Sequence, residues 1–297
     1  MLGASHLYRT RRNCLAPFLV LFACVILLSA STSAQDGSRT DPSRAPSLLL
    51  ISPVSPGLPA QGTSASKTEI PAGTILPVVL GTTIFPAKAK QGQIIQGQIA
   101  QDVPLPSGSK IPKGSKVEGH VVENLPAGNG MGTKISIRFD TLRFRDGVVA
   151  ITTNLRAIAG FMAVLDAGVP NQAIGEGDVS NWMTTTQIGG DSVFGIGGPV
   201  TSAHNASEVI GKSPMSGGVL VELRPNASAH CRGPLDGNSN PQALWVFSSD
   251  ACGTYGLLKV QIVHAGRTAP IGTVILEIQG PNEKIHSGAG LLLRVIA

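Results

Sequence analysis

Glycine and proline fall so regularly along this chain that long helices are excluded. There are 36 glycines and 21 prolines among its 297 residues. Glycine in a helix interior costs backbone entropy, and proline lacks the N–H that the helix needs. A helical bundle or coiled coil is therefore out, and short strands joined by turns are what remains. The length suits roughly two domains of about 100–150 residues each. The expected class is all-β: two small β-barrel or sandwich-like domains after a signal segment and a Pro/Ser-rich linker.

Local patterns place the strands. Lys134 to Phe139 alternates, so Ile135, Ile137 and Phe139 share one face, and Arg145-Asp146-Gly147 supplies a hairpin turn before Val148 to Ile151. Gln93 to Ala100 and Lys116 to Glu123 read as further strands. Ile70-Pro-Ala-Gly-Thr74 recurs as Ile111-Pro-Lys-Gly-Ser115, each ahead of a β-prone stretch, and Ile285-His-Ser-Gly-Ala289 resembles a degenerate third copy. Proline fixes φ and the following glycine permits φ > 0, which is type II turn chemistry. Residues 159–205 are Gly-rich and poorly periodic, with one short helix expected around Leu155 to Ala167, and are read as a connector. Strands return over 206–297, at Gly218 to Arg224, Ala243 to Ser248, Leu257 to His264, Gly272 to Gln279 and Leu291 to Ile296. The domains are thus expected at 70–158 and 206–297.

Residues 1–34 read as a secretory signal peptide. Arg9, Arg11 and Arg12 form its positive region, Cys14 to Leu28 is apolar apart from Pro17, and Thr32 and Ala34 sit at the −3 and −1 positions before Gln35. The rival reading is an uncleaved anchor, because Cys14 to Ala30 is at the lower edge of what spans a bilayer. Leu21-Phe22-Ala23-Cys24 is a weak third reading, as a lipoprotein signal, since the apolar run continues past Cys24. Residues 35–69 carry prolines 42, 46, 53, 56 and 59 and no aromatic residue, as a semi-extended, disordered linker does. Every reading exports the body of the chain, to the periplasm, the envelope or beyond. Beyond the leader only Cys231 and Cys252 remain, and an even pair in an oxidising compartment most simply forms one disulfide.

Charge excludes a nucleic-acid partner. The formal net charge is +5, but three arginines belong to the leader; removing them from 23 leaves 20 basic residues against 18 acidic, with no basic run. Ala206 to Ser213 fits a loose phosphate-loop pattern, yet Pro214 follows where a helix would have to start, so the match is accidental. His120, His204, His230, His264 and His286 are scattered without zinc-ligand spacing. No Gly-x-Ser-x-Gly elbow occurs, and no catalytic residue, cofactor or metal ligand is assigned. Asn205-Ala-Ser207 and Asn226-Ala-Ser228 are formal glycosylation sequons. Trp245 and Phe247 flank Val246 and are expected on one strand face, with Tyr255 just beyond Cys252. The trio reads either as core packing or as a ligand or partner surface.

Three blocks carry a family resemblance: Ile70 to Leu80, Gly92 to Val103, and Ile111 to Gly119, with Ile135 to Asp146 following. In order and spacing they resemble the C-terminal domain of TrbI-type conjugal-transfer proteins, the channel scaffold of type IV secretion systems. The resemblance covers about 80 residues and implies a barrel-like envelope domain carried on a membrane segment and a Pro-rich linker. That family's long apolar helical hairpin has no counterpart in 159–205, so pore formation is not implied. The segment 206–297 resembles no family that can be named.

The sequence reading is therefore an exported, non-catalytic envelope structural or assembly protein. Its expected partners are envelope proteins or copies of itself, and membrane contact is expected only through an uncleaved N-terminal segment. The alternative is a carbohydrate or surface-ligand binder using Trp245, Phe247 and Tyr255. A wall-acting hydrolase ranks third, because it needs two ionisable groups converging in a cleft.

Overall fold

The computed structural model describes residues 70–126, 132–144, 147–169, 184–223 and 240–296. The chain divides into two units, Met1–Thr63 and Ser64–Ala297, and every described residue lies in the second. The leader, the linker and Cys231 lie outside the described residues.

The first part of the described chain forms β1 (Ile75–Leu80), β2 (Ile94–Ile99), the short pair β3 (Val103–Pro104) and β4 (Lys110–Ile111), β5 (Lys116–Pro126), β6 (Gly132–Phe144), β7 (Gly147–Ala150) and β8 (Thr153–Ala159). Helix α1 (Phe161–Ala167) follows. The middle carries β9 (Thr184–Thr186), β10 (Ser192–Phe194), β11 (Pro199–Ser202), β12 (Asn205–Lys212), β13 (Leu220–Val221) and β14 (Gln242–Ala243). The last part carries β15 (Gly253–Tyr255), β16 (Val260–His264), β17 (Val274–Gln279) and β18 (Gly290–Val295). The protein is all-β, as expected.

One turn starts five of these strands. In Pro71-Ala-Gly-Thr74 the Thr74 N–H donates to Pro71 O (3.2 Å) with Gly73 at φ 88°. The same closure recurs at Lys90–Gln93, Pro112–Ser115, Pro270–Thr273 and His286–Ala289, with glycine at φ 76–86° in the third place. β1, β2, β5, β17 and β18 begin at the next residue. In four cases the glycine N–H also donates to the adjacent strand: Gly73 to Val295 O, Gly114 to Ile99 O and Gly288 to Leu80 O at strand ends, and Gly92 to Val121 O within β5 (2.7–2.8 Å). The turn therefore sets the register of the pair it opens. The 286–289 copy is a true third repeat, and Lys90–Gln93 and Pro270–Thr273 are two more that the sequence reading missed.

The main sheet has ten strands in the order β15-β8-β18-β1-β2-β5-β6-β17-β16, with β7 on β6. Its ends meet where the Leu155 N–H of β8 donates to Ala265 O just past β16 (2.9 Å). The strands from β8 round to β16 form a nearly closed antiparallel barrel. Leu76, Val78, Ile95, Ile99, Ile137, Phe139, Leu276 and Leu293 fill its interior. The space between Ile137, Phe139, Leu155 and Leu291 is about 10 Å³, at the threshold for a single water, so the barrel is packed rather than hollow.

β9 to β14 form a six-stranded half-barrel in sequence order. It shares a second core with the outer face of the barrel: Ile75, Ala157, Ala159 and Leu292 meet Val193, Val200, Val221, Leu244 and Phe247. This explains two burial patterns. β2 alternates exposed and buried residues, whereas all seven residues of β8 are buried, as in strands covered on both faces.

The division at 70–158 and 206–297 is not how the chain folds. β17 pairs with β6, and β18 lies between β1 and β8, so strands of the later segment complete the sheet begun by the earlier one. Residues 184–202, read as connector, are the strands β9 to β11 of the half-barrel. Leu155 to Ala159, placed in a helix, is strand because it pairs with β18; α1 begins only at Phe161. Ala206 to Lys212 lies in strand β12, where the sequence reading places no strand.

A bulge interrupts the β8–β18 ladder between Leu292, opposite Ala157, and Leu293, opposite Leu155. Arg156 is the extra residue. It is 2% exposed and donates from Nε to Ala251 O (3.1 Å) and from Nη2 to Ser249 O (2.9 Å). Burial, with Arg267 and Arg294 nearby, lowers its pKa to about 10. The charge persists at neutral pH and ties the barrel to the 249–251 segment.

The turns yield a direct test. No atom lies within 4 Å of where a Cβ at Gly114 would sit, so Gly114→Ala meets only the cost of its φ of 85°. Urea unfolding should show a loss of about 1 kcal/mol. Unchanged stability would refute the claim that this turn needs its left-handed residue.

Candidate functional site

The half-barrel carries a cleft of about 570 Å³. One wall is the end of α1, Ala167 and Gly168; another is Thr185, Gln187 and Val193 from β9, β10 and their loop. The turn at Gly195-Ile196, the stretch from Ser213 to Val219, and Trp245-Val246 complete it. Among the described residues that line it, none has an ionisable side chain.

Three glutamines build this region. Gln101, just past β2 and 1% exposed, accepts the N–H groups of Val219 (3.0 Å) and Trp245 (2.7 Å) on Oε1 and donates from Nε2 to Val219 O (2.9 Å). Gln242 Oε1 accepts the N–H of Ile75 in the barrel (3.1 Å). Gln187 Nε2 donates to Trp245 O (3.0 Å). Buried amides thus hold both backbone polar groups of Trp245. Among the described residues it is the one non-glycine with positive φ, at 55°. Such backbone costs of order 1–3 kcal/mol and persists where its surroundings over-determine it. Gly218, at φ 80°, has a second constraint: a Cβ there would lie 2.3 Å from Gln101 Oε1.

The three aromatic candidates separate. β14 ends at Ala243, and the left-handed residue reverses the chain, so Trp245 and Phe247 share no strand face. Trp245 is half-buried and lines the cleft. Phe247 is fully buried in the second core. Tyr255 sits in β15 beside β8, where its hydroxyl accepts the Cys252 N–H (2.9 Å); burial raises its pKa. Cys252 is disulfide-bonded, while Cys231 lies outside the described residues.

Titratable groups gather elsewhere in an order unsuited to nucleophilic catalysis. Ser248 Oγ donates to Asp250 Oδ1 (2.8 Å), and His204 Nε2 lies 2.9 Å from Asp250 Oδ2. The carboxylate stands between hydroxyl and imidazole, whereas a triad needs the imidazole in the middle. Burial raises the Asp250 pKa, but the hydrogen bonds from His204 and Ser248 outweigh it and the net shift is downward. His120 pairs with Asp140 (3.1 Å). No group of three His, Cys, Asp or Glu side chains among the described residues could hold a metal ion.

Apolar surface continues past the cleft. Ile196 is 74% and Met215 80% exposed, and Met215 Sδ sits over Gly197. α1 is apolar on two faces. Ala163, Val164 and Ala167 pack on the second core, while Met162, Leu165 and Val169, at helical spacing, face outward. The sequence reading overlooked this double face, although the run Phe161 to Leu165 shows it, and no spacing rule connects Gln101 to Trp245. Among the described residues no helix is long and apolar enough to cross a membrane. No family model, curated protein or solved structure matches the chain.

Two outcomes check this geometry. Trp245→Ala and Trp245→Gly lose the same ring, but only glycine relieves the backbone, so Trp245→Gly should be the more stable by about 1 kcal/mol in urea unfolding. Equal stabilities would mean that the residue is not strained. Because the Asp250 pKa is lowered in the folded state, its contribution is present above the ordinary carboxylate value of 3.8 and is lost as pH falls below it. Asp250→Asn should flatten the fall in unfolding midpoint over that acid range; an unaltered slope would remove Asp250 from the account.

Proposed function

We propose that this protein is an exported, non-catalytic envelope structural or assembly protein that works as a docking module. The observation that carries the reading is the cleft, whose described lining is uncharged, bordered by the outward apolar stripe of α1. An apolar helix face is normally covered, and contiguous exposed apolar surface marks interaction sites; Asp166 is the one charged residue of α1. The leader supports export, and the three blocks resembling TrbI-type scaffolds support an envelope role. The packed barrel interior suits a scaffold rather than a conduit.

Glycan binding has less support. A pyranose brings several hydroxyls, and buried hydroxyls need partners. Ser213 already donates to Gly218 O (3.3 Å) and Gln187 Nε2 to Trp245 O, so the cleft offers few. A wall hydrolase would need ionisable groups in the cleft, and none of the described residues that line it supplies one.

The test is to tag the C-terminus, solubilise envelopes gently, and identify what co-purifies and at what particle size. An assembly with envelope proteins or further copies is expected, weakened tenfold or more by Leu165→Asp or Ile196→Asp. A strictly monomeric exported protein with no partner would sink the reading.

A further inference from the structure

We infer that one end of the barrel rests on an anionic lipid surface, Leu258 and Met162 entering the interface while Lys88, Lys90 and Lys284 meet the headgroups. This goes beyond the docking reading, which turns on the cleft. Strand direction decides which residues share that end. The antiparallel ladders put the ends of β1, β5, β8 and β17 and the starts of β2, β6, β16 and β18 at one rim. Segments 81–93, 160–169, 256–259 and 280–289 cross it. Contacts join them: a Cβ at Gly288 would lie 2.4 Å from the Phe161 ring, and Lys259 Nζ pairs with Glu283 (3.3 Å). Ile84 and Ile285 exchange both backbone hydrogen bonds (2.9 and 3.0 Å).

Two properties of this rim define the partner. Its apolar side chains protrude. Leu258 is 101% exposed in the turn closed by the Val260 N–H on Leu257 O, and Met162 is 62% exposed beside an exposed Phe161. Such tips gain by leaving water. A bilayer interface takes them without a matching shape, whereas a protein partner must offer each one a pocket. The second property is charge. The Ile84–Ile285 bridge brings the Lys88 and Lys284 ammonium groups within 5.1 and 5.7 Å of one ring centre, that of Phe85. Lys90 is exposed nearby, and none of the three lysines pairs with a carboxylate among the described residues. Cations gathered in this way repel one another and attract an anionic surface. Of the described carboxylates at the rim, Glu283 is already held by Lys259, which leaves Glu123 and Asp166. Lysine stems lie along apolar surface while their ammonium groups stay at the phosphates, so tips and cations suit one interface.

The experiment takes the chain as its cells export it and introduces Leu258→Trp, with Ile271→Trp at the opposite rim as the control. The probes are phosphatidylcholine vesicles with brominated acyl chains, with or without phosphatidylglycerol. After subtraction of the wild-type emission, Leu258→Trp should be quenched by the vesicles holding phosphatidylglycerol, and Ile271→Trp should not. Quenching reports the substituted position, so contact made by an N-terminal anchor gives no false support. In the Leu258→Trp chain, Lys88→Glu with Lys284→Glu should weaken partition about tenfold, and Met162→Asp by about as much. No quenching at position 258, equal quenching at 271, the same quenching without phosphatidylglycerol, or unchanged partition of the lysine double variant would each overturn the inference. Co-purification of envelope proteins, and its loss in Ile196→Asp, decides the docking reading separately; an assembly without quenching would keep that reading and remove this one.

Discussion

β18 is the strand on which the rest of the structure depends. It pairs with β1 along one edge and with β8 along the other, so removing it would open the barrel and expose ladder groups on both neighbours. It is also buried on both faces, because β1, β8 and β18 together form the wall against which the half-barrel packs. The half-barrel has no comparable support of its own: β10, β13 and β14 are two or three residues long, and short sheets need a packed apolar face to persist. The cleft inherits its position from that packing. The same wall fixes Arg156, whose bulge places a buried guanidinium under the carbonyls of Ser249 and Ala251.

The cleft is assembled by hydrogen bonds that reach across the chain. Gln101 follows a barrel strand, yet it holds Val219 and Trp245, which are 118 and 144 residues away. Gln242 reaches back the other way to Ile75. Amide side chains suit this work because one group both donates and accepts, so it can stand in for a missing strand neighbour. The result is an aromatic wall residue held in an unfavourable backbone conformation by partners on both its N–H and its C=O. That arrangement preorganises the indole, and it leaves one amide oxygen, Gln187 Oε1, buried without a donor.

Two features of this chain are local, and the sequence by itself determined them. Frequent glycine and proline with short β-prone runs specify an all-β protein, since they forbid long helices. The Pro-x-Gly phrase specifies a turn with φ > 0 at its third residue, because only glycine takes that conformation without strain. The phrase at Ile70 and Ile111 was legible for that reason. Without the proline, the copy at His286–Ala289 was legible only as a degenerate echo, and Lys90–Gln93 is recognised only from its hydrogen bond.

Tertiary structure alone decided what pairs with what. The alternation in Val274 to Gln279 marks a strand, but nothing in it names β6 as its partner, so the two halves looked like separate domains although strands of both make the main sheet. The aromatic candidates divided for a similar reason. Trp245, Phe247 and Tyr255 are three neighbouring aromatic residues in sequence, whereas a left-handed residue clamped by distant glutamines puts the first in a cleft and leaves the second in a core. Propensity and turn chemistry act over a few residues; strand partnership and burial depend on contacts between residues far apart in the chain, which no local pattern encodes.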